Sequence, residues 1–146
     1  MSIILKNKDT LIYQDFIFKC SIGKKGLSKR KVEGDYKTPI GIYSLDKLYY
    51  RSDRIKKPKT KLKSIPIKKH MVWCNDVKSK KNYNKLINIR QKVRYEKMYR
   101  LDRTYDLIIP IKYNFLSPKL GKGSAIFLHV TKNFSPTTGC IALKES

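Results

Sequence analysis

Acidic residues are scarce in this chain of 146 residues, which carries 11 Asp and Glu against 34 Lys and Arg, a formal net charge of +23. Such a charge attracts polyanions, so nucleic acid, an anionic membrane face and an acidic cell-wall polymer are candidate partners. The zinc-finger, RNA-binding and leucine-zipper signatures of nucleic-acid modules are missing from the sequence. We therefore expect no specific nucleic-acid partner and interpret the lysines as a solvated surface. A polyanion-binding basic domain stays open as an alternative.

Cysteine and histidine are also few, with three Cys and two His in the chain. The cysteines, Cys20, Cys74 and Cys140, are widely spaced and odd in number, which does not fit a disulfide framework and leaves at least one thiol free. A zinc-binding domain is a second alternative, with the ligand set His70, Cys74, His129 and Cys140. Only His70 and Cys74 are close in sequence, so we expect no metal and no cofactor.

Long apolar runs are missing as well. No stretch approaches the length of a membrane span, and residues 1–16 lack the apolar core and small-residue cleavage site of a secretory signal. The length fits one domain, residues 1–146, and 40% hydrophobic residues can form a core. The sequence therefore leaves three readings of localisation: a cytoplasmic protein, a mature exported form, or a start that lies upstream.

The most informative segment is IFLHVTKNFSPTTGCIAL, residues 126–143. A thiolate is a strong nucleophile, and a nearby imidazole can take the thiol proton and later return it to a leaving amine. A glycine before the cysteine permits a tight turn whose N–H groups could face an oxyanion. Spacing alone only nominates this pair, since buried structural Cys and His are common. The segment contains, in order, His129, Thr137, Thr138, Gly139 and Cys140.

This segment resembles the signature of the L,D-transpeptidase catalytic domain, the YkuD family, which has a His, a variable gap, Ser/Thr-x-Gly-Cys and then apolar residues. The stretch GDYKTPIGIY, residues 34–43, resembles an early motif of the same family. Four further segments resemble a compact, single-domain branch of the family, namely WCND at 73–76, YN at 83–84, YDL at 105–107 and GSAIFLH at 123–129. The resemblance covers most of the chain from about Cys20 onward.

The resemblance implies a mainly β, α+β fold: a curved mixed β-sheet, sandwich-like, with few short helices and a C-terminal catalytic loop. It implies a single catalytic domain over residues 1–146. Family domains normally continue beyond the cysteine with a helix and a strand, and the chain ends at Ser146. We therefore expect that helix and strand to be lacking.

The resemblance also implies an activity, in which Cys140 attacks a peptide carbonyl of a peptidoglycan stem peptide and forms a thioester. An amine of a second stem peptide then takes the acyl group, or water does so in an L,D-carboxypeptidase. His129 serves as base and then as acid, and Gly139 with its neighbours supplies oxyanion donors. The implied location is the periplasm or cell envelope, and we expect a monomer that meets stem peptides and, through its charge, an anionic cell-wall polymer.

Six further residues are expected to bind substrate: Thr137, Thr138, Trp73, Tyr83, Asn84 and Glu96. For Trp73, filling of the core is a competing interpretation. Glu96 could recognise a substrate ammonium group or pair with a neighbouring Arg.

Local patterns predict strands at Leu11–Cys20, Met71–Cys74 and Ile126–Val130. Residues 80–103 are ambiguous, and we interpret them as a loop with one helical turn.

Overall fold

The computed structural model describes residues 2–145 and confirms the mainly β class. The few short helices that the resemblance implied are not found within that range, because its residues form strands, turns and bends. Consequently no helix among the described residues is long and apolar enough to cross a bilayer.

The strands are short and follow one another along the whole chain. In order they are β1 (Ile3–Leu5), β2 (Thr10–Tyr13), β3 (Phe16–Ser21), β4 (Leu27–Ser28), β5 (Thr38–Pro39), β6 (Leu48–Tyr50), β7 (Ser64–Pro66), β8 (Met71–Cys74), β9 (Leu86–Asn88), β10 (Tyr95–Lys97), β11 (Leu107–Pro110), β12 (Phe127–Thr131) and β13 (Ile141–Lys144).

The largest sheet has eight strands in the order β1-β2-β3-β13-β12-β11-β6-β7. The pairs β12–β13 and β6–β7 are parallel and the other pairs are antiparallel, so the sheet is mixed, as predicted. It is an open sheet. A three-stranded sheet has the order β10-β8-β9, and β4 pairs with β5 in parallel.

The register divides the large sheet into two faces, because side chains alternate along a strand. His129 pairs with Ile108 on one side and with Ala142 on the other. We call their face the site face, and it packs against Met71 and Trp73 of the three-stranded sheet. The opposite face, which we call the closed face, is built from Leu11, Cys20, Ile22, Leu128 and Ile141. Two hydrophobic cores therefore lie on either side of one sheet.

Two local predictions need correction. The expected single strand Leu11–Cys20 is a hairpin, because Gln14 adopts a left-handed φ of 54° and the chain reverses between β2 and β3. The expected loop over residues 80–103 contains β9 and β10, which pair with the two edges of the buried strand β8. The backbone N–H and C=O groups of a buried strand must be hydrogen-bonded along both edges, and β9 and β10 supply the partners. One helical turn does lie at the start of that region, where the Tyr83 N–H donates to the Ser79 carbonyl at 3.0 Å.

Candidate active site

A cleft of about 200 Å³ opens beside the Gly-Cys motif. Its wall joins segments that are far apart in sequence. The wall residues come from the 31–36 loop, from the segment 124–126, from Thr138 and Gly139, and from Asn75 and Glu96. Charged groups of both signs face the same small volume, since Lys31, Glu33 and Glu96 all contribute.

Cys140 lies against the residues of this wall and is only 4% exposed. Its sulfur accepts a hydrogen bond from the Phe127 N–H at 3.4 Å, and its thiol donates to the Ala125 carbonyl at 3.2 Å. Burial raises the pKa of the thiol to about 12, and the Glu96 carboxylate acts in the same direction. The Phe127 N–H, the Lys31 ammonium and the Tyr105 hydroxyl lower that pKa. The balance keeps the resting group a neutral thiol at neutral pH.

His129 lies on β12 and is 8% exposed. Its Nδ1 is 2.9 Å from the Val130 carbonyl oxygen, which can only accept a hydrogen bond. In the neutral ring Nδ1 therefore carries the proton, and Nε2 keeps its lone pair. Burial lowers the pKa of the ring, which favours this neutral form.

His129 and Cys140 share the site face. His129 is opposite Ala142 in the parallel register, and Cys140 precedes Ala142 by two positions, so both side chains point to the same side. The thiol makes its hydrogen bonds to Phe127 and Ala125 and makes none directly to the imidazole. The Tyr105 ring packs edge-on against His129, at a centroid distance of 5.4 Å.

Gly139 occupies a position that strongly favours glycine. Its φ of 147° is rarely adopted by residues with a side chain, and an added Cβ would lie 3.0 Å from the Lys37 carbonyl oxygen. The Gly139 carbonyl accepts a hydrogen bond from the Thr38 hydroxyl at 2.8 Å. That hydroxyl also accepts from the Gly23 N–H at 2.9 Å. The early Thr-Pro motif thus anchors the turn that carries the thiol.

The two threonines of the motif have different positions. Thr137 shapes the turn, since its hydroxyl donates to the Cys140 carbonyl at 2.6 Å and accepts from the Gly139 N–H at 3.1 Å. An oxyanion would have to compete with Thr137 for the Gly139 donor. Thr138 lies on the wall of the cleft, where a substrate can reach it.

Trp73 and Asn84 lie behind the cleft, in the core. Trp73 is 2% exposed, and its indole N–H donates to the Asn84 Oδ1 at 2.8 Å. The same oxygen accepts from the Ala125 N–H at 3.0 Å. Because the Ala125 carbonyl receives the thiol proton of Cys140, these two residues fix the backbone that orients the nucleophile. Core filling, the competing interpretation for Trp73, agrees with its burial, and substrate binding by this pair stays a prediction.

Tyr83 and Glu33 form a second hydrogen-bonded pair, which supports the wall of the cleft. Tyr83 is 1% exposed, donates to the Glu33 Oε2 at 2.5 Å and accepts from the Gly123 N–H at 3.0 Å. The Ser124 hydroxyl donates to the same Glu33 oxygen at 2.8 Å. Tyr83 therefore holds a wall carboxylate in place, and its predicted contact with substrate stays untested.

Glu96 reaches the cleft from β10. Its Oε1 accepts a hydrogen bond from the Tyr105 hydroxyl, so its closest partner is a phenol rather than an Arg. Burial raises the pKa of the carboxyl group, against the influence of Tyr105 and of the nearby Arg100.

Several wall residues were missed by sequence analysis. Lys31 is 5% exposed and pairs with Asp35 at 2.8 Å. Lys31 looked like one more surface lysine, and no motif marked Glu33 as functional. Tyr105 lies behind the wall, in the YDL segment that resembled the family, but no role was predicted for it. The available signal was weak: two acids, Glu33 and Asp35, interrupt a strongly basic stretch.

The zinc alternative loses its structural basis. In residues 2–145, no group of three or more His, Cys, Asp or Glu side chains is arranged to hold a metal ion. His70 is exposed at the start of β8, whereas His129 lies in the large sheet.

Comparison with known proteins gives one match. A sequence model of the YkuD family, described as the L,D-transpeptidase catalytic domain, matches residues 2–146. A search of curated proteins gave no match, and neither did a search of solved structures.

Proposed function

The chain belongs to the L,D-transpeptidase catalytic domain family, YkuD, and on that basis we propose that it is an acyl transferase with Cys140 as nucleophile and peptidoglycan stem peptides as substrates. The family consists of L,D-transpeptidases, acts on such peptides and is typical of the cell envelope. For this chain we propose the same substrates, an envelope location and a monomeric state. Hydrolysis of the acyl-enzyme, as in an L,D-carboxypeptidase, is a second outcome of the same chemistry.

The proposed reaction has two halves. In the first, the Cys140 sulfur bonds to the carbonyl carbon of the donor peptide, the thiol proton is removed, and the terminal D-amino acid leaves as an amine that has gained a proton. In the second, an acceptor amine attacks the thioester, His129 Nε2 takes its proton, and that proton returns to the sulfur as the C–S bond breaks. His129 is also the proposed base and acid of the first half.

One observation carries the proposal. Cys140 lies beside a cleft and on the same sheet face as a histidine whose Nδ1 is fixed by the Val130 carbonyl. A ring held in this way keeps Nε2 available as a base, which is the role that a third group plays for the base in other nucleophile–base pairs. The rigid Gly139 turn supports a fixed attack geometry.

The charges of the cleft support a peptide substrate that carries both an ammonium and a carboxylate group. Glu33 and Glu96 suit an ammonium, and Lys31 suits a carboxylate. Thr138 is the remaining proposed contact on the wall. The polyanion-binding alternative rests on net charge alone.

The test is acylation of the sulfur by a tetrapeptide donor with an L,D-bond. The protein is incubated with the donor near neutral pH, and the adduct is located by peptide mass spectrometry. We expect a thioester on Cys140 with release of one D-amino acid, and transfer of the acyl group when an amine acceptor is added. Cys20 and Cys74, both buried, serve as internal controls. Absence of a Cys140 adduct in folded protein would contradict the proposal.

A further inference from the structure

Lys31 is the only buried lysine among residues 2–145, and its side chain is 3% exposed. Its Nζ donates to the Asp35 Oδ1 at 2.8 Å and forms no second hydrogen bond with any described residue. An ammonium group has three N–H donors, so two of them have no partner in the folded chain. Because Lys31 lines the cleft, these two donors are available to a group that enters it.

Two glycines determine where the Lys31 side chain runs. Its methylene stem passes Gly123, where an added Cβ would lie only 2.8 Å from the Lys31 Cε. Its Nζ then lies 3.4 Å from the position that a Cβ of Gly139 would occupy. Glycine at both positions therefore leaves room for the side chain, and the ammonium ends beside the residue that precedes Cys140.

Asp35 fixes the ammonium in this position. The Asp35 carboxylate accepts the Val32 N–H and the Lys37 N–H, each at 2.9 Å, in addition to its bond from Lys31. A carboxylate held by two backbone donors cannot follow a moving lysine. The two unpaired donors of Lys31 are therefore preorganised, which lowers the entropic cost of binding an anion.

We propose that Lys31 binds the α-carboxylate of the terminal D-amino acid of the donor peptide, the residue that leaves during acylation, and that Asp35 positions it. This inference rests on the proposed function and adds a specificity-determining residue to it. The preferred donors are then peptides that end one residue after the scissile bond with an ionised carboxylate.

The position of the ammonium fits this carboxylate. When the Cys140 sulfur attacks the scissile carbonyl carbon, the terminal carboxylate carbon is three bonds farther along the donor. Three such bonds span no more than about 4 Å. An anion at that distance from the reacting carbon lies within reach of a cation that is placed beside Gly139.

The other charges of the cleft make this contact specific. Glu33 and Glu96 line the same volume, and each disfavours an anion there. The cleft as a whole therefore does not attract a carboxylate, and binding depends on the charge-assisted hydrogen bonds that Lys31 can donate.

A second role for the same ammonium gives different kinetics. If Lys31 donated to the oxyanion of the tetrahedral intermediate, its loss would lower the maximal acylation rate of every donor alike. A contact with the terminal carboxylate exists already in the bound donor. Its loss should raise the half-saturating concentration, and only for donors that carry the carboxylate.

The experiment compares two tetrapeptide donors that differ only at the C-terminus, one with a carboxylate and one with a carboxamide. Acylation of Cys140 is followed by mass spectrometry in a single turnover near neutral pH, over a range of donor concentrations. Both donors leave the same acyl group on the sulfur, so any difference between them arises from binding or from acylation.

We expect the parent protein to favour the carboxylate donor by about 10- to 100-fold, mainly through the half-saturating concentration, which is the scale of hydrogen bonds to a charged group. Lys31→Met keeps the stem and removes the ammonium. It should bring the ratio to about one by weakening the carboxylate donor and leaving the amide donor nearly unchanged. The matched control is Lys112→Met, which removes an ion pair of 3.9 Å to Asp46 away from the cleft wall and should keep the parent preference.

Equal acylation by the two donors in the parent protein would overturn the inference, and so would a Lys31→Met protein that slows both donors by the same factor. Circular dichroism and thermal unfolding show whether each variant folds. If Lys31→Met does not fold because Asp35 loses its partner, the double variant Lys31→Met/Asp35→Asn removes both charges and replaces it. Absence of a Cys140 adduct with either donor would refute the proposed function as well, whereas equal acylation refutes only the role of Lys31.

Discussion

Two buried cysteines lie on opposite faces of the large sheet, Cys140 on the site face and Cys20 on the closed face. Burial raises both thiol pKa values, to about 12 and about 11. Among the described residues, the Asp9 carboxylate is the other influence on Cys20, and it raises the pKa further. Around Cys140 an N–H donor, a phenol and an ammonium act against burial. Burial alone thus gives two inert thiols, and the neighbouring groups and the cleft distinguish the candidate nucleophile.

The largest difference between the two faces should appear on removal of each thiol. Cys140→Ala should reduce donor turnover by more than about a thousandfold, because no other group can form the acyl-enzyme. Cys20→Ala should leave turnover near the parent value and lower only the stability. Release of the D-amino acid, measured by chromatography, checks both. If both variants lost turnover equally, the loss would be caused by impaired folding and not by removal of a nucleophile.

The two histidines extend this contrast. His129→Ala should lower turnover by about 10²–10⁴-fold, the usual contribution of a general base. His70→Ala, at an exposed position, should change it little. Initial rates at saturating donor, with and without an amine acceptor, provide the measurement. A His129→Ala protein with normal transfer to the acceptor would remove His129 from the mechanism.

Two glycines with positive φ test whether the site face needs its strained turn. Gly139→Ala would bring a Cβ within 3.0 Å of the Lys37 carbonyl, whereas Gly121→Ala, at φ 76°, would meet nothing within 4 Å. Both should lose about 1–2 kcal/mol of stability through backbone strain. Only Gly139→Ala should also slow acylation, by up to about 100-fold, because the thiol is displaced. Urea unfolding and the acylation rate separate the two effects.

The smallest expected effect concerns the closed face and pH. The pKa of Cys20 is raised from 9.0 to about 11 in the folded protein. Its contribution to stability is therefore complete below pH 9 and is lost as pH rises toward 11, because the unfolded chain ionises first. The stability difference between the parent and Cys20→Ala should shrink over that interval. Urea midpoints at about pH 8 and about pH 10.5 check the slope, and a constant difference would contradict it.

The sequence allowed prediction of those parts of the site that are local. Gly139 and Cys140 are adjacent, His129 ends a short apolar strand, and the early Gly-Asp and Thr-Pro motif was identified by resemblance. The contacts between these motifs could not be predicted in the same way. The Thr38 hydroxyl donates to the Gly139 carbonyl, for example, and the sequence shows the two motifs but not that they meet.

The remainder depends on long-range packing. Tyr105 and Glu96 meet only because the three-stranded sheet covers the site face, and Lys31 is buried only because a loop folds over Gly123. The mixed sheet was predicted, but the strands β9 and β10 were not. Their own apolar pattern does not mark them as strands, and they are strands because they hydrogen-bond to the two edges of the buried strand β8.

The position of β13 has a consequence for the order of folding. This strand lies between β3 and β12, so it joins a hairpin from the start of the chain to strands from its middle. A ribosome releases β13 after all the other strands described, and until then β3 and β12 present open edges to the solvent. The turn that carries Cys140 is shaped only when β13 inserts. The nascent chain should therefore have no competent thiol until β13 has been synthesised, and a chaperone that shields open strand edges would assist this protein most before that point.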